Sequence, residues 1–313
     1  MIVKQENIRD DALPEFPQEA KLVLAGLSGW GKSMALHRID YASQVGSHGY
    51  PVDSIEHVEL IDHGHATLLD DYAEVHSENW SGTDDFNTWR YRLRVSDPMV
   101  EGTRTCNFEC VDFKGEIMLE YGSDSSAMPS EDRQKLEKHL DGAAGIVVML
   151  PATDIADTEL TKHLMAFLDF VIKRKRSKGG LLQLKRIVIA LTKIDLHLAS
   201  IADLAFDVAS DPESMARVAS ILLKSRSRYF DRLEREFRSI GIEERVICMS
   251  NHGFCNGFGS ANIRLSDAGS DPRRVQGMTS QNYIPYLVGD PFFYAATGWE
   301  NPFHNSISAL RAM

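Results

Sequence analysis

Four short runs of nearly continuous apolar residues punctuate the chain: Lys21-Leu-Val-Leu-Ala25, Gly145-Ile-Val-Val-Met-Leu150, Arg186-Ile-Val-Ile-Ala-Leu191 and Arg245-Val-Ile-Cys-Met249. Runs of this length without polar alternation predict parallel strands whose two faces are both covered by helices. Segments with helical spacing separate them. Ser130 to His139 has Ser130 as a cap candidate and Gly142 beyond its end. Asp157 to Arg176 repeats Leu160, Leu164, Phe167, Leu168 and Val171 at helical intervals. Pro212 to Ile240 has Asp211 to cap it, Pro212 suited to its first turn and Gly241 to end it.

The pattern changes between the first apolar run and the second. Trp89-Arg-Tyr-Arg-Leu-Arg-Val95 alternates strictly, and Cys106, Phe108 and Cys110 alternate likewise toward Asp112, with Pro98 and Gly102 between the two stretches. This spacing predicts an antiparallel hairpin whose second strand enters the sheet. The expected fold class is therefore α/β, a mixed and mostly parallel sheet with helices on both faces. Residues 1–20 read as an N-terminal arm and 21–252 as the main domain. The polar stretch 45–87 reads as an insertion, 251–285 as Gly-, Ser- and Asn-rich loop, and 253–313 as a C-terminal extension.

Composition narrows the class. Apolar residues make up 43% and charged residues 25% of the 313, as expected of a well-cored chain. A net charge of −11 argues against a nucleic-acid partner. The four cysteines suit reduced thiols, with Cys106 and Cys110 read as core, not as a redox pair. No apolar run reaches the length of a membrane span, and residues 1–20 lack the apolar stretch of a signal peptide. The expected compartment is the cytoplasm.

Three motifs carry chemistry. Gly26-Leu-Ser28-Gly29-Trp30-Gly31-Lys32-Ser33 follows the first strand and precedes a helical stretch beginning at Met34. In that context glycines let backbone N–H groups curl toward phosphate oxygens, and the helix start adds its positive end. Lys32 would neutralise the terminal phosphates, and the Ser33 hydroxyl would bind Mg²⁺. The alternative is a Gly-rich turn without a ligand, and the motif alone does not separate GTPases, ATPases and small-molecule kinases. The second motif is Asp112-Phe-Lys-Gly115, where Asp112 would serve the Mg²⁺ shell and Gly115 would offer its N–H to the γ-phosphate; an ordinary acidic turn is the alternative. The third is Thr192-Lys193-Ile-Asp195. The Asp195 carboxylate can accept from guanine N1–H and the exocyclic amine, and the Lys193 stem can cover the base face. Adenine has no such donor pair, and an unmade pairing in a buried site is expensive. A strand end capped by polar residues is the alternative.

With these three motifs in order, the chain resembles a Ras-like GTPase of the translation-factor-related (TRAFAC) class over residues 20–252. The resemblance implies a P-loop NTPase fold, GTP and GDP as ligands, Mg²⁺ as cofactor, and a nucleotide-dependent switch acting on a protein effector or complex subunit. It implies a guanine-contacting backbone at Ser250-Asn251, although Asn251 departs from the usual small residue. It also implies a switch threonine, for which Thr88 fits best by position and Thr83 second, as a metal ligand and catalytic residue. Glu116 stands where a Gln usually orients the attacking water. A carboxylate cannot donate to the γ-phosphate, so slow or partner-dependent hydrolysis is expected, and a non-hydrolysing GTP-binding scaffold is the alternative. No arginine finger can be assigned. The aromatic stretch Tyr283–Phe303 loosely resembles the tail of bacterial double-GTPase proteins of conflict and defence systems. Its aromatics are expected either to pack on the parent domain or to dock a partner.

Two weaker features read as bland. Lys173-Arg-Lys-Arg176 with Lys178 is a cationic helix end, the favoured place for such charges. Asp62, His63 and His65, with His57 nearby, read as plain loop and not as a metal site.

Overall fold

A computed structural model describes residues 16–45, 55–63, 86–96, 103–122, 129–153, 158–177, 180–199, 223, 228–255, 260–261, 263–265, 275–278 and 284–299. The first half of the chain forms β1 (Glu19–Ala25), α1 (Lys32–Val45), β2 (Ile55–His63), β3 (Asn87–Ser96), β4 (Thr103–Asp112), a 3₁₀ turn (Gly115–Met118), α2 (Leu119–Gly122) and α3 (Glu131–Gly142). Then come β5 (Gly145–Pro151), α4 (Thr158–Arg176), β6 (Arg186–Thr192), α5 (Ile194–Ala199), α6 (Arg228–Ser239) and β7 (Glu243–Cys248). The short strands β8 (Ser250–Cys255), β9 (Ser260–Ala261), β10 (Ile263–Leu265), β11 (Val275–Met278) and β12 (Ile284–Tyr286) lead to α7 (Asp290–Thr297).

Six strands make a mixed, mostly parallel sheet, and β2 extends it at one edge, giving the order β2-β3-β4-β1-β5-β6-β7. Strands β4, β1, β5, β6 and β7 run parallel; β3 is antiparallel to both of its neighbours. The hairpin expected at 89–110 is β3–β4, and its second strand enters the sheet beside β1. Every residue of β5 and β6 is buried, which is why these segments read as unbroken apolar runs.

Both faces are covered. Trp89 and Tyr91 share a face with Cys110 and Phe108, their register partners. Tyr91 donates its hydroxyl hydrogen to the Leu36 carbonyl of α1 at 3.0 Å, and Phe108 stacks on Phe292 of α7. Those contacts put α1 and α7 on that face. On the opposite face Phe86 stacks on Phe113 and on His139 of α3. Ser130 caps α3, its hydroxyl accepting from the Arg133 N–H at 3.1 Å, as its sequence position suggested.

Two expectations change, and one alternative is decided. The insertion 45–87 contains an ordered edge strand, β2, so His57, Asp62 and His63 lie in a strand and not in a loop; His65 is outside the described residues. The stretch 251–285 is not simply loop: β8, β9 and β12 make a three-stranded sheet and β10 pairs with β11. For the C-terminal aromatics, the alternative of packing on the parent domain holds for α7, all eight of whose residues are buried. The aromatics Phe292, Phe293 and Tyr294 therefore pack on the parent domain. Of the helix expected over 212–240, the described part is mainly α6, closed by Gly241 at φ +71°; Asp211 and Pro212 lie outside the described residues.

Helix α7 is secured by charge. The Arg186 guanidinium, at the start of β6, donates to the Ala295 and Ala296 carbonyls at 2.9 and 2.7 Å. A helix leaves its last carbonyls without intrahelical partners, and a cation there is doubly favoured. Gly298, left-handed at φ +75°, closes the same end by donating its N–H to the Tyr294 carbonyl at 2.8 Å. The basic end of α4 is likewise partnered. Arg174 meets Asp141 at 2.6 Å and Arg176 meets Glu236 at 3.5 Å, while the Lys175 ammonium donates to three carbonyls, of Leu181, Leu182 and Leu184. Cys106 and Cys110 are buried free thiols, the burial pushing Cys106 up to about 11 and Cys110 well above the ordinary thiol value.

If α7 is core, Phe292→Ala should cost about 3–5 kcal/mol, the usual range for deleting a buried Phe. Urea unfolding would measure it, and a loss below about 1 kcal/mol would show that α7 is not part of the core.

Candidate functional site

Because β1, β4, β5, β6 and β7 are parallel, their carboxyl ends open on one edge of the sheet. The loop 26–31 leaves β1 at that edge and enters α1 at Lys32. Gly26, Gly29 and Gly31 all adopt positive φ, at +152°, +77° and +92°. Such values explain the glycine spacing, since only glycine takes them without strain. Leu27 and Trp30 are buried while Ser28 and Gly29 are exposed, so the loop is anchored by its apolar members and open at its tip. Trp30 is fully buried, and its indole N–H has no hydrogen-bond partner. Ala35 donates its N–H to the Gly31 carbonyl at 2.9 Å, the first turn of α1. Met34 sits half-buried in that turn.

Lys32 is 6% exposed, and its ammonium lies 2.9 Å from the Gly26 carbonyl and 3.4 Å from that of Leu27. Burial lowers its pKa, and the negative charges of Asp112 and Glu116 pull it back up. A desolvated cation held against two backbone carbonyls is suited to an anionic ligand. Ser33 donates its hydroxyl hydrogen to Asp112 Oδ2 at 2.6 Å, joining positions 79 apart in sequence. Asp112 is fully buried at the carboxyl end of β4. A hydroxyl beside a buried carboxylate is the hard-oxygen chemistry that a divalent cation such as Mg²⁺ takes. Among the described residues no group of three or more His, Cys, Asp or Glu side chains forms a metal cluster.

Gly115 begins the 3₁₀ turn and lies flat against the loop. An added Cβ would collide with the Ser28 backbone nitrogen and come within 2.5 Å of the Leu27 carbonyl carbon. The spacing Asp112-x-x-Gly115 thus serves close backbone approach. Glu116 is exposed beside it.

The third motif closes the edge from the β6 side. Thr192 is buried and donates its hydroxyl hydrogen to the Trp30 carbonyl at 3.1 Å. Lys193 holds a left-handed φ of +56°, a conformation that costs a non-glycine residue roughly 1 kcal/mol. Such strain clusters where side chains must be aimed. Asp195 is fully buried, and neither carboxylate oxygen has a partner at hydrogen-bonding geometry. Burial pushes its pKa up to about 6; the Ser250 hydroxyl, nearby backbone N–H groups and Lys193 draw it down only in part. The Ser250 oxygen accepts from the Gly253 N–H at 2.9 Å. Asn251 donates its side-chain N–H to the Gly31 carbonyl at 3.1 Å.

The motif residues therefore form one connected set, with direct links from the loop to Asp112, Gly115, Thr192 and Asn251. Thr88 is not brought into it. It sits in β3 opposite Val111, on the face away from Asp112, whereas Asn87 is the register partner of Asp112. Extending the Trp89/Tyr91 alternation back by two would have found Asn87. Thr83 lies outside the described residues.

Compared with models of protein families, the chain matches none, and no curated protein matches it. No helix among the described residues is long and apolar enough to cross a membrane.

The unpartnered Asp195 carboxyl makes a stability prediction. Its folded pKa, about 6 against an ordinary 3.8, means that the native state holds the proton more tightly than the unfolded chain. Stability is then greatest below the unfolded value and falls as pH rises through about 6. The displacement corresponds to an order of 2–3 kcal/mol. In nucleotide-free protein, Asp195→Asn should raise the melting temperature at about pH 8 and leave it nearly unchanged at about pH 4. Equal melting temperatures at both would show the carboxylate already satisfied.

Proposed function

We propose that this chain is a P-loop guanine-nucleotide-binding protein that hydrolyses GTP to GDP with Mg²⁺ and works as a nucleotide-dependent switch for a partner protein. The observation that carries the reading is the fully buried Asp195 carboxylate with two unpartnered oxygens, linked through Ser250–Asn251 to the loop that holds Lys32. A buried acceptor pair of this kind is costly unless a ligand supplies donors. Guanine supplies two, N1–H and the exocyclic amine, on one edge.

Each residue then has a part. The Gly26–Gly31 amides and the first amides of α1 receive phosphate oxygens. Lys32 contributes its charge to the β- and γ-phosphates, and Lys193 covers the base with its stem. Ser33 and Asp112 are the residues that would hold Mg²⁺, whose chemistry is to neutralise charge on the β- and γ-phosphate oxygens. Gly115, pressed against the loop, is positioned to move with the γ-phosphate. A segment whose place depends on one phosphate group is the usual basis of a switch. The Ras-like resemblance of the motifs agrees with a mixed sheet that presents them on one edge.

Glu116 favours a second reading, a GTP-binding subunit that does not turn over. Its exposed carboxylate lies near Lys32 and can accept from water but not donate to the γ-phosphate.

Single-turnover assays with GTP and ATP separate these. Cleavage of GTP alone supports the switch, and tight GTP binding without cleavage supports the subunit. Preference for ATP sinks the base assignment. Lys32→Ala should abolish binding of labelled GTP. Asp195→Asn should move preference from guanosine to xanthosine triphosphate, because the amide donates where the carboxylate accepts; unchanged preference would remove Asp195 from the base pocket.

A further inference from the structure

Two consecutive carbonyls of the loop are held from the base-reading side. Thr192 donates to the Trp30 carbonyl at 3.1 Å, and the Asn251 amide donates to the Gly31 carbonyl at 3.1 Å. In a trans peptide the carbonyl and the following N–H point in opposite directions. Fixing the Trp30 and Gly31 carbonyls toward Thr192 and Asn251 therefore aims the Gly31 and Lys32 amides the other way. The Asn251 contact also explains Gly31, since an added Cβ there would lie 2.8 Å from Asn251 Nδ2.

The orientation of the Asn251 amide follows from its neighbour. The Gly31 carbonyl is an acceptor, so the nitrogen must face it, and Oδ1 faces away. Asn251 is 7% exposed, and its Oδ1 has no hydrogen-bond partner. A buried amide oxygen without a donor costs roughly 1–3 kcal/mol. It stands next to Ser250, whose hydroxyl reaches toward Asp195.

We propose that the Asn251 side chain bridges loop and ligand: its N–H pins the Gly31 carbonyl, and its Oδ1 accepts a hydrogen bond from a nucleoside donor. This rests on the guanine-nucleotide reading above and gives the side chain a role distinct from a backbone contact to the base. The donor is an N–H of the base or an O–H of the ribose. Asn251 is thus a positioning residue toward the phosphate loop and a specificity residue toward the nucleoside. It also ties the two halves of the site together, so that base recognition and phosphate binding reinforce one another.

The test is an analogue cycle. Wild type and Asn251→Ala are titrated with GTP, inosine triphosphate (lacking the exocyclic amine), 2′-deoxy-GTP and 3′-deoxy-GTP. Deleting the donor that Oδ1 accepts should weaken wild type about tenfold more than Asn251→Ala, the equivalent of 1.4 kcal/mol, any loss through Asp195 being common to both proteins. Which analogue shows the difference identifies the base or the sugar as the source. If every analogue weakens both proteins by the same factor, the bridge is refuted. Asn251→Ser, smaller but still polar, repeats the comparison should the alanine variant melt below the assay temperature. If wild type binds no guanine nucleotide at all, the functional reading itself fails; wild-type binding with parallel losses overturns the bridge alone.

Discussion

The site depends on charge taken out of water at one edge of the sheet. Lys32 is an almost fully buried ammonium, and Asp112 and Asp195 are fully buried carboxylates. None would be stable there alone, because an isolated buried ion neutralises itself or unfolds its surroundings. Lys32 is tolerated because two loop carbonyls accept from it and two acids face it. Asp195 is tolerated as a carboxyl inclined to keep its proton. The parallel strand order brings all three to the same edge, so the architecture concentrates electrostatic cost where a charged ligand could offset it.

Much of this was legible in the chain itself, for identifiable reasons. Buried parallel strands must be apolar on both faces, so β1, β5, β6 and the core of β7 stood out as runs. The hairpin showed through because Trp89 and Tyr91 face α1 while Arg90 is exposed. The motif residues were recognisable because backbone geometry restricts them: Gly31 and Gly115 have no room for a Cβ. What escaped was set by tertiary pairing. Residues 55–63 break their apolar positions (Ile55, Val58, Leu60, Ile61) irregularly and pair with β3 alone, with two register shifts. Thr88 looked suitable by distance along the chain, but the pleat turns it away from Asp112 and gives that place to Asn87. The side-chain role of Asn251 needed the meeting of β8 with the Gly31 carbonyl, positions 220 apart.

The last helix changes the account of domain organisation. A boundary near residue 252 follows from composition, since Gly- and Ser-rich sequence begins there. In the folded chain that stretch is an excursion of short strands between β7 and α7, and α7 returns to pack on the face that α1 also covers. The Arg186 guanidinium holds the end of α7 by two carbonyls, a buried cation satisfied by a helix terminus instead of an acid.

That return has a temporal meaning. During synthesis β1 and α1 emerge long before residues 290–297, so the part of that sheet face which α7 covers must wait for them. Until then that strip of apolar strand surface stays exposed, a condition that invites chaperone attention or misassociation. The starts of β5 and β6, where the Ala295 carbonyl meets Gly145 and Arg186, close only once α7 has docked.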